Sequence, residues 1–369
     1  MGIPEKIKAI EEEIHKTQIN KATEFHIGIL KAKIARLRRE MDEDKHGRTI
    51  ASGRDNVGFD IRKSGDASVV LVGLPSVGKS TILNSLTNAN SEVASYHFTT
   101  LTAVPGMMDI YGAKIQVIDL PGIVEGASKG KGMGRRVLSV ARNADLILTV
   151  LDVFQVNHLK ILEKELGQVG IRINQNKPDV TIEKTRSGGL FVQTQKPLRM
   201  SLNLAKEILR IHGLHNGRIM IREPELSDEQ LIDVMLGNTL YIPSILVVNK
   251  IDLVAKNYVH EMLSKIPNGS VPISADKKIN IDLLKQLIFK KLDFIKIFLK
   301  PRGGQIDYRE PLIVKRGSTV RDVCNKIHRN FAKDFRFAYV IGQSAKFSGQ
   351  RVALDHTLLD RDILTIVKN

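Results

Sequence analysis

Cysteine is nearly absent from this 369-residue chain: Cys324 stands alone. One thiol excludes a disulfide framework within the chain and a cysteine-built zinc site, and it fits a reducing compartment. Its setting, VRDVCNKI, has helical spacing, so Cys324 reads as a small buried apolar residue. Long apolar runs are also missing. LYIPSILVV (240–248) contains a proline and falls far short of the ~18–20 residues that cross a bilayer. MGIPEKIKAIEEE at the N-terminus lacks the apolar core of a signal peptide. The expectation is a cytoplasmic protein with no membrane partner. Histidines suggest no metal cluster: Gly213 breaks the helix between His212 and His215, and no third ligand is indicated. No spacing argues for a Ser/His/Asp nucleophile.

What is present is length and positive charge. The chain is too long for one ordinary core, which makes about two to four domains the prior. Hydrophobic content of 42% and charged content of 26% are those of a soluble globular protein. Net charge is +16, and half of it lies in residues 295–369, where 15 basic residues face 7 acidic ones. Residues 21–39 add six basic residues against Glu24 alone. Charge concentrated in this way points to a polyanionic partner, RNA first.

The apolar spacing gives the organisation. Ile7, Ile10 and Ile14, then Ile27, Leu30, Ile34, Leu37 and Met41, make one stripe on each of two helices. Thr17 to Asn20 supply the turn of this hairpin, which reads as an intramolecular arm because the second stripe covers only about two heptads. From Ala67 the pattern becomes strand, loop, helix. ASVVLVG, KIQVIDLPG, ADLILTVLDV and PSILVVNKIDL are buried-strand runs of a mostly parallel α/β sheet, closed by the helix IDLLKQLIFKKL.

Between LDVF and PSILVVNK lies far more chain than the ~30 residues of a β-α-β unit. Within it, DVTIEKT and LFVQTQ are expected to form a hairpin turned by Ser187-Gly188-Gly189. NLAKEILRIHG is expected as a helix, GRIMIRE as a strand, and SDEQLIDVML as a helix capped by Ser227. After Asp293, five short strands and the helix TVRDVCNKIHRNF suggest a small β-grasp-like unit.

The chemistry sits on four short motifs. GLPSVGKS (73–80) matches GxxxxGK[ST] between a strand and a helix. Its glycines let backbone N–H groups turn inward, the helix N-terminus adds partial positive charge, Lys79 reaches the β/γ-phosphates, and Ser80 ligates magnesium. Gly73, Pro75, Ser76, Val77, Gly78, Lys79, Ser80 and Thr81 are thus the expected phosphate cradle. Asp119 begins DxxG; it would hold magnesium through water while the Gly122 amide senses the γ-phosphate. Asn249-Lys250-Ile251-Asp252 follows a strand, and Asp252 can accept two hydrogen bonds from guanine N1 and N2, which adenine cannot supply. Ser274-Ala275 would place a backbone N–H near guanine O6. Together they indicate GTP and GDP as ligands, with Mg²⁺ as cofactor.

GLPSVGKST, YHFTTLTAVPG, DLPGIVEGAS and NKIDL together resemble the Obg-related GTPases, and most closely the developmentally regulated GTP-binding proteins. The resemblance covers essentially the whole chain. It implies a P-loop GTPase domain (63–170 and 240–294), an N-terminal helical arm (1–62), an inserted α+β domain similar to ribosomal protein S5 (171–239), and a C-terminal TGS domain (295–369). Aligned on YxFTT, Thr100 rather than Thr99 takes the magnesium position of the first switch, and Thr100 and Lys79 become the groups that stabilise the transition state. Relatives that use potassium carry asparagine in GxPNxGKS; Ser76 is shorter, so the resemblance leaves a K⁺ site open.

The residue after DLPG is Ile123, where many GTPases have the glutamine that orients water. The resemblance makes this a family habit and leaves the positioning of the water to another group. Lys129, Lys131, Arg135 and Arg136 are candidate electrophiles supplied in cis, although a basic loop contacting RNA or nothing is the more economical reading of them. The expected activity is slow GTP hydrolysis in a switch that acts with the ribosome or RNA in translation. The other reading is an RNA- or ribosome-binding module in which GTP is structural. Lys315, Arg316 and Arg321 are the expected RNA contacts on the TGS domain. Family members of eukaryotes also bind a small stabilising partner protein.

Overall fold

The computed structural model of the chain describes residues 2–18, 20–50, 64–87, 104–121, 140–267, 269–328 and 330–368, with side chains of the second helix described as far as Met41. Contacts divide the chain into two compact units, Met1–Gly58 with Gly170–Tyr241, and Phe59–Val169 with Ile242–Asn369.

The first unit begins with two helices, α1 (Ile3–Lys16) and α2 (Glu24–Ile50). Asn20 turns the chain between them, its Oδ1 accepting from the Ala22 and Thr23 amides at 3.0 Å each. The expected stripe is there: Ile27, Leu30 and Ile34 are buried on α2, and Ile7, Ile10 and Ile14 are half-buried on α1. Glu11 and Arg38 pair between the helices at 2.9 Å.

The second unit opens with strand β1 (Ala67–Gly73), helix α3 (Lys79–Leu86), strands β2 (Val104–Ile110), β3 (Ala113–Asp119) and β4 (Leu146–Asp152), and helix α4 (Leu159–Gln168). All seven residues of β1 and of β4 are buried, as strands covered on both faces must be.

The chain then returns to the first unit with β5 (Ile171–Ile173), β6 (Val180–Lys184), β7 (Leu190–Thr194), α5 (Leu202–Ile211), β8 (Gly217–Ile221), α6 (Asp228–Leu236) and β9 (Leu240–Ile242). Ser201 and Ser227 cap α5 and α6, each hydroxyl accepting from the amide three residues on. The expected β6–β7 hairpin does not form. The sheet order is β6-β8-β7, with β8 antiparallel to β6 and parallel to β7. A strand from some 25 residues downstream takes the gap that a local reading assigned to a direct turn, because both flanking strands need a partner for one buried face. β5 and β9 pair as a separate two-stranded sheet.

Helix α2 carries a second face that its stripe conceals. Ala32 lies in the core built on α5, α6 and the sheet, with Ile29 and Ala35 against it. Gly28 meets Leu204 so closely that a Cβ there would stand 2.7 Å from Leu204 Cδ2. Lys31 reaches Asp228 Oδ2 at 3.1 Å and Glu229 Oε1 at 3.0 Å. Burial opposes the Lys31 charge, but Glu229 and Asp228 outweigh it and raise the ammonium above its ordinary value. The arm and the inserted segment thus share one core.

In the second unit, β10 (Ser244–Asn249), helix α7 (Lys256–Ser264), β11 (Val271–Pro272) and helix α8 (Ile281–Lys291) complete a six-stranded sheet of order β11-β10-β4-β1-β3-β2. Every pairing is parallel except β2–β3. β12 (Phe294–Leu299), β13 (Leu312–Lys315), helix α9 (Val320–Ile327), β14 (Phe335–Ile341), β15 (Gln350–Val352) and β16 (Ile363–Lys368) follow as a five-stranded sheet, β13-β12-β16-β14-β15. Cys324 is buried in the core between α9 and this sheet. The β-grasp-like part docks on the large sheet's own core, since Phe294 and Ile313 belong to that core. Lys326 to Asp66 at 2.6 Å adds a charged contact. Among the described residues no helix is long and apolar enough to cross a membrane.

Candidate functional site

The loop after β1 is shaped by what stands behind it. A Cβ on Gly73 would meet the Val150 carbonyl oxygen of β4 at 2.5 Å, so only glycine fits where the strand ends. Val77 is buried and pins the loop to the core. Gly78 sits at φ 90°, and a Cβ on it would come within 2.4 Å of Asn249 Nδ2. Gly78 then caps α3, whose first residue is Lys79. The result is a turn whose amides lead into a helix N-terminus, a geometry that can receive an anion.

Asn249 and Lys250, at the end of β10, clasp this loop. Asn249 Nδ2 donates to the Val77 carbonyl at 3.0 Å, and its Oδ1 accepts from the Ala275 amide at 3.1 Å. Lys250 Nζ donates to the Ser76 carbonyl at 2.8 Å and pairs with Asp152 Oδ2 at 2.6 Å. Three segments separated by up to about 200 residues are thereby tied into one rim.

Ala275 has a partner that its motif does not announce. Its N–H, assigned to the guanine carbonyl, is held by Asn249 in the chain itself. Ser274 is fully buried and closes a tight turn with Ile279 through paired backbone bonds of 3.2 and 3.0 Å. Asp252 lies in a short 3-10 turn (Ile251–Leu253) with its side chain exposed. Pro75, Ser76, Ser80 and Thr81 are exposed on the same loop–helix junction.

Lys79 is 7% exposed, and its Nζ donates to the carbonyls of Gly73 at 3.2 Å and Leu74 at 3.0 Å. Burial lowers its ammonium below the ordinary lysine range, with Asp119 pulling it back. Asp119 ends β3 one strand away, and the Ser80 hydroxyl donates to its Oδ2. Asp119 Oδ1 is buried with no hydrogen-bond partner among the described residues. Burial raises its carboxyl above the usual range, against the pull of the Ser80 bond and Lys79. A hydroxyl and a carboxylate with an unsatisfied buried oxygen are an all-oxygen donor set, which fits a hard divalent cation such as Mg²⁺.

The raised carboxyl fixes the sign of a prediction. In the ion-free folded chain Asp119 holds a proton more tightly than when unfolded. Its burial therefore costs stability as pH rises through its folded value. Asp119→Asn should melt higher than the parent without ligand near neutral pH, by roughly 2 °C, and should lose the gain that Mg²⁺ gives to GTP binding. Differential scanning fluorimetry with and without Mg²⁺ and GTP reads both; a variant that melts lower while keeping the Mg²⁺ effect contradicts the assignment.

Thr100, Gly122 and Ile123, with Thr99, Lys129, Lys131, Arg135 and Arg136, lie outside the described residues. Lys315, Arg316 and Arg321 lie on the β-grasp-like part, each with an aspartate of the chain: Asp145 at 2.9 Å, Asp293 at 2.8 Å and Asp355 at 3.1 Å. Basic composition drew attention to them, and it could not reveal acidic partners distant in sequence. Asp152, which anchors Lys250, escaped the sequence reading; its signal was an acid closing the apolar run LILTVLD.

The description 50S ribosome-binding GTPase belongs to the family model that matches residues 68–184. The C-terminal region of that domain matches 187–294, and a TGS domain matches 295–368. An uncharacterized GTP-binding protein of Methanocaldococcus jannaschii is 51% identical over 371 residues, covering 100% of this chain and 93% of its own. Developmentally-regulated GTP-binding protein 2 of Homo sapiens is 45% identical over 370 residues, covering 100% of both chains. The solved YchF GTPase of Schizosaccharomyces pombe is 13% identical with a TM-score of 0.44, covering 83% of this chain and 99% of that one.

Proposed function

The chain belongs to the developmentally-regulated GTP-binding proteins, GTP hydrolases of P-loop fold, and from that premise we propose that it is a cytoplasmic switch that hydrolyses GTP slowly and couples the nucleotide state to RNA of the translation machinery. The clasp carries the nucleotide half of this reading: Asn249 and Lys250 hold the Val77 and Ser76 carbonyls, so that the phosphate loop and the base-reading turn form one rigid seat.

The chain's own groups divide the work. Lys79 exchanges the Gly73 and Leu74 carbonyls for β/γ-phosphate oxygens, and its small remaining exposure strengthens that contact. Asp252, free of the loop contacts, accepts guanine N1–H and N2–H. The Ala275 N–H exchanges Asn249 Oδ1 for, or shares it with, the base carbonyl. Ser80, Asp119 and, from the first switch, Thr100 are the residues that would hold Mg²⁺. When bound, Mg²⁺ supplies positive charge that offsets the charge developing on the phosphates. Thr100 and the Gly122 amide would contact the γ-phosphate, and hydrolysis removes both contacts. Ile123 cannot orient water, so unaided hydrolysis falls at the slow end of the roughly 10⁻⁴ to 10⁻² s⁻¹ of free switch GTPases. Potassium would have to be met by the short Ser76 hydroxyl, which makes sodium-to-potassium exchange a necessary arm of any rate assay.

The RNA half rests on the net charge of +16, concentrated after residue 295, and on the family description as ribosome-binding. The cationic ends of Lys315, Arg316 and Arg321 are exposed, so water screens their ion pairs and each can exchange its aspartate for a phosphate. A small stabilising partner protein, as the resemblance implies, is a further proposed ligand. Ribosome co-sedimentation tests the coupling. Binding should be tighter with a non-hydrolysable GTP analogue than with GDP, and should fall steeply between about 50 and 200 mM salt. Equal affinity with GTP analogue, GDP and no nucleotide favours instead a binding module with structural GTP.

A further inference from the structure

The open face of the β6-β8-β7 sheet has no role in the nucleotide site. Strand alternation sends Val180, Ile182, Leu190, Val192, Ile219 and Ile221 into the core beneath it. Thr181, Glu183, Phe191, Gln193, Arg218 and Met220 therefore stand on the other side. Register sets them in two rows across the sheet, Glu183–Arg218–Phe191 and Thr181–Met220–Gln193. They line a shallow groove of about 580 Å³, one end of which is the Ser187–Gly189 turn.

Two features separate this face from ordinary solvated sheet. Phe191 is 62% exposed, a flat aromatic surface in water. Beside it, the Arg218 side chain makes no hydrogen bond or ion pair with any described residue, whereas the Arg222 side chain just beyond the strand is held by Asp179 and Thr181. The surrounding charge is net positive. Residues 177–196 carry four basic side chains against two acidic, and residues 216–222 add Arg218 and Arg222 with no acid.

We propose that this face binds single-stranded RNA. An unpaired base stacks on Phe191, the adjoining phosphate meets the Arg218 guanidinium, and Gln193 and the Thr181 hydroxyl are within the same two rows to bond base edges. Glu183, the one carboxylate on the platform, accepts from an exocyclic amine or a 2′-hydroxyl and keeps phosphates on the Arg218–Phe191 side. A duplex gives Phe191 no free base face. An acidic peptide satisfies Arg218 but leaves the ring unused. The inference rests on the RNA-binding reading above and adds the surface and the strandedness of the RNA.

Fluorescence anisotropy with the full chain tests it, using a short labelled oligouridine and, separately, a labelled RNA duplex of equal length. The parent should prefer the single strand. Phe191→Ala should weaken that binding about tenfold and Phe191→Tyr should keep it. Arg218→Ala should weaken it and flatten the log–log salt slope by about 0.7. Unchanged circular dichroism and an unchanged melting curve in all three confirm that each variant is folded, and unchanged GTP-analogue affinity shows that the nucleotide site is untouched. If the parent binds the single strand and both alanine variants match it, RNA sits elsewhere: this surface is wrong and the RNA reading stands. A parent that prefers the duplex also overturns the proposal. A parent that binds neither oligouridine nor ribosomes removes the RNA reading itself, and this surface with it.

Discussion

Lys79→Ala should lose measurable GTP and GDP binding while remaining folded. The ammonium is held in a nearly dry position by two carbonyls, which aim it at the mouth of the loop and exclude water from its other side. Each bond between such a charge and a phosphate oxygen is worth about 1.5–3 kcal/mol, so two of them set a loss of roughly 10²–10⁴ in affinity. The loop backbone is secured independently by Asn249 and Lys250, so its geometry should survive the truncation. Isothermal titration of the variant with GTP, beside its melting curve, separates lost chemistry from lost fold. An affinity within threefold of the parent would show that Lys79 does not meet phosphate.

The second large effect belongs to the base. Asp252→Asn should cut the preference for GTP over ATP by roughly 10², because an amide presents an N–H where guanine also presents one, leaving a donor facing a donor. The same amide can donate to a C2 carbonyl, so xanthosine triphosphate should bind the variant better than it binds the parent. Asp252 is exposed and takes no part in the Asn249–Lys250 clasp, so the substitution changes recognition without disturbing the loop. Competition of labelled GDP by GTP, ATP and xanthosine triphosphate reads all three. Unaltered GTP selectivity would overturn the assignment of the base.

The motifs proposed for the nucleotide were legible because each is local. A strand end, a glycine loop and a helix start occupy adjacent residues, and each motif announces itself within a few positions of the chain. What holds the parts together was not legible. Asp152, Val77 and Ala275 meet Asn249 and Lys250 only after β4, β10 and the turn at Ser274 are brought side by side. The β6–β7 hairpin failed for the same reason in reverse: a plausible local turn lost to β8, which arrives from downstream and pairs with both strands. Alternation predicts which residues share a face, but it carries no information on which strand is the neighbour.

Helix α2 shows a related limit. Its large apolar residues marked one stripe, while Gly28, Ala32 and Ala35, too small to count as a stripe, mark a second close contact. The basic residues of the β-grasp-like part were found by sign, and only the fold revealed the aspartates beside Lys315, Arg316 and Arg321. Burial was easier to foresee: Cys324 sits in the core, as its helical setting indicated.

The central claim is a slow GTPase switch whose rate depends on its RNA partner, and single-turnover hydrolysis of radiolabelled GTP tests it most directly. The full chain should turn over at the slow end of roughly 10⁻⁴ to 10⁻² s⁻¹ alone and at least about tenfold faster with ribosomes, in sodium and potassium measured side by side. A rate that is fast in the isolated chain and indifferent to ribosomes and to the cation would contradict it.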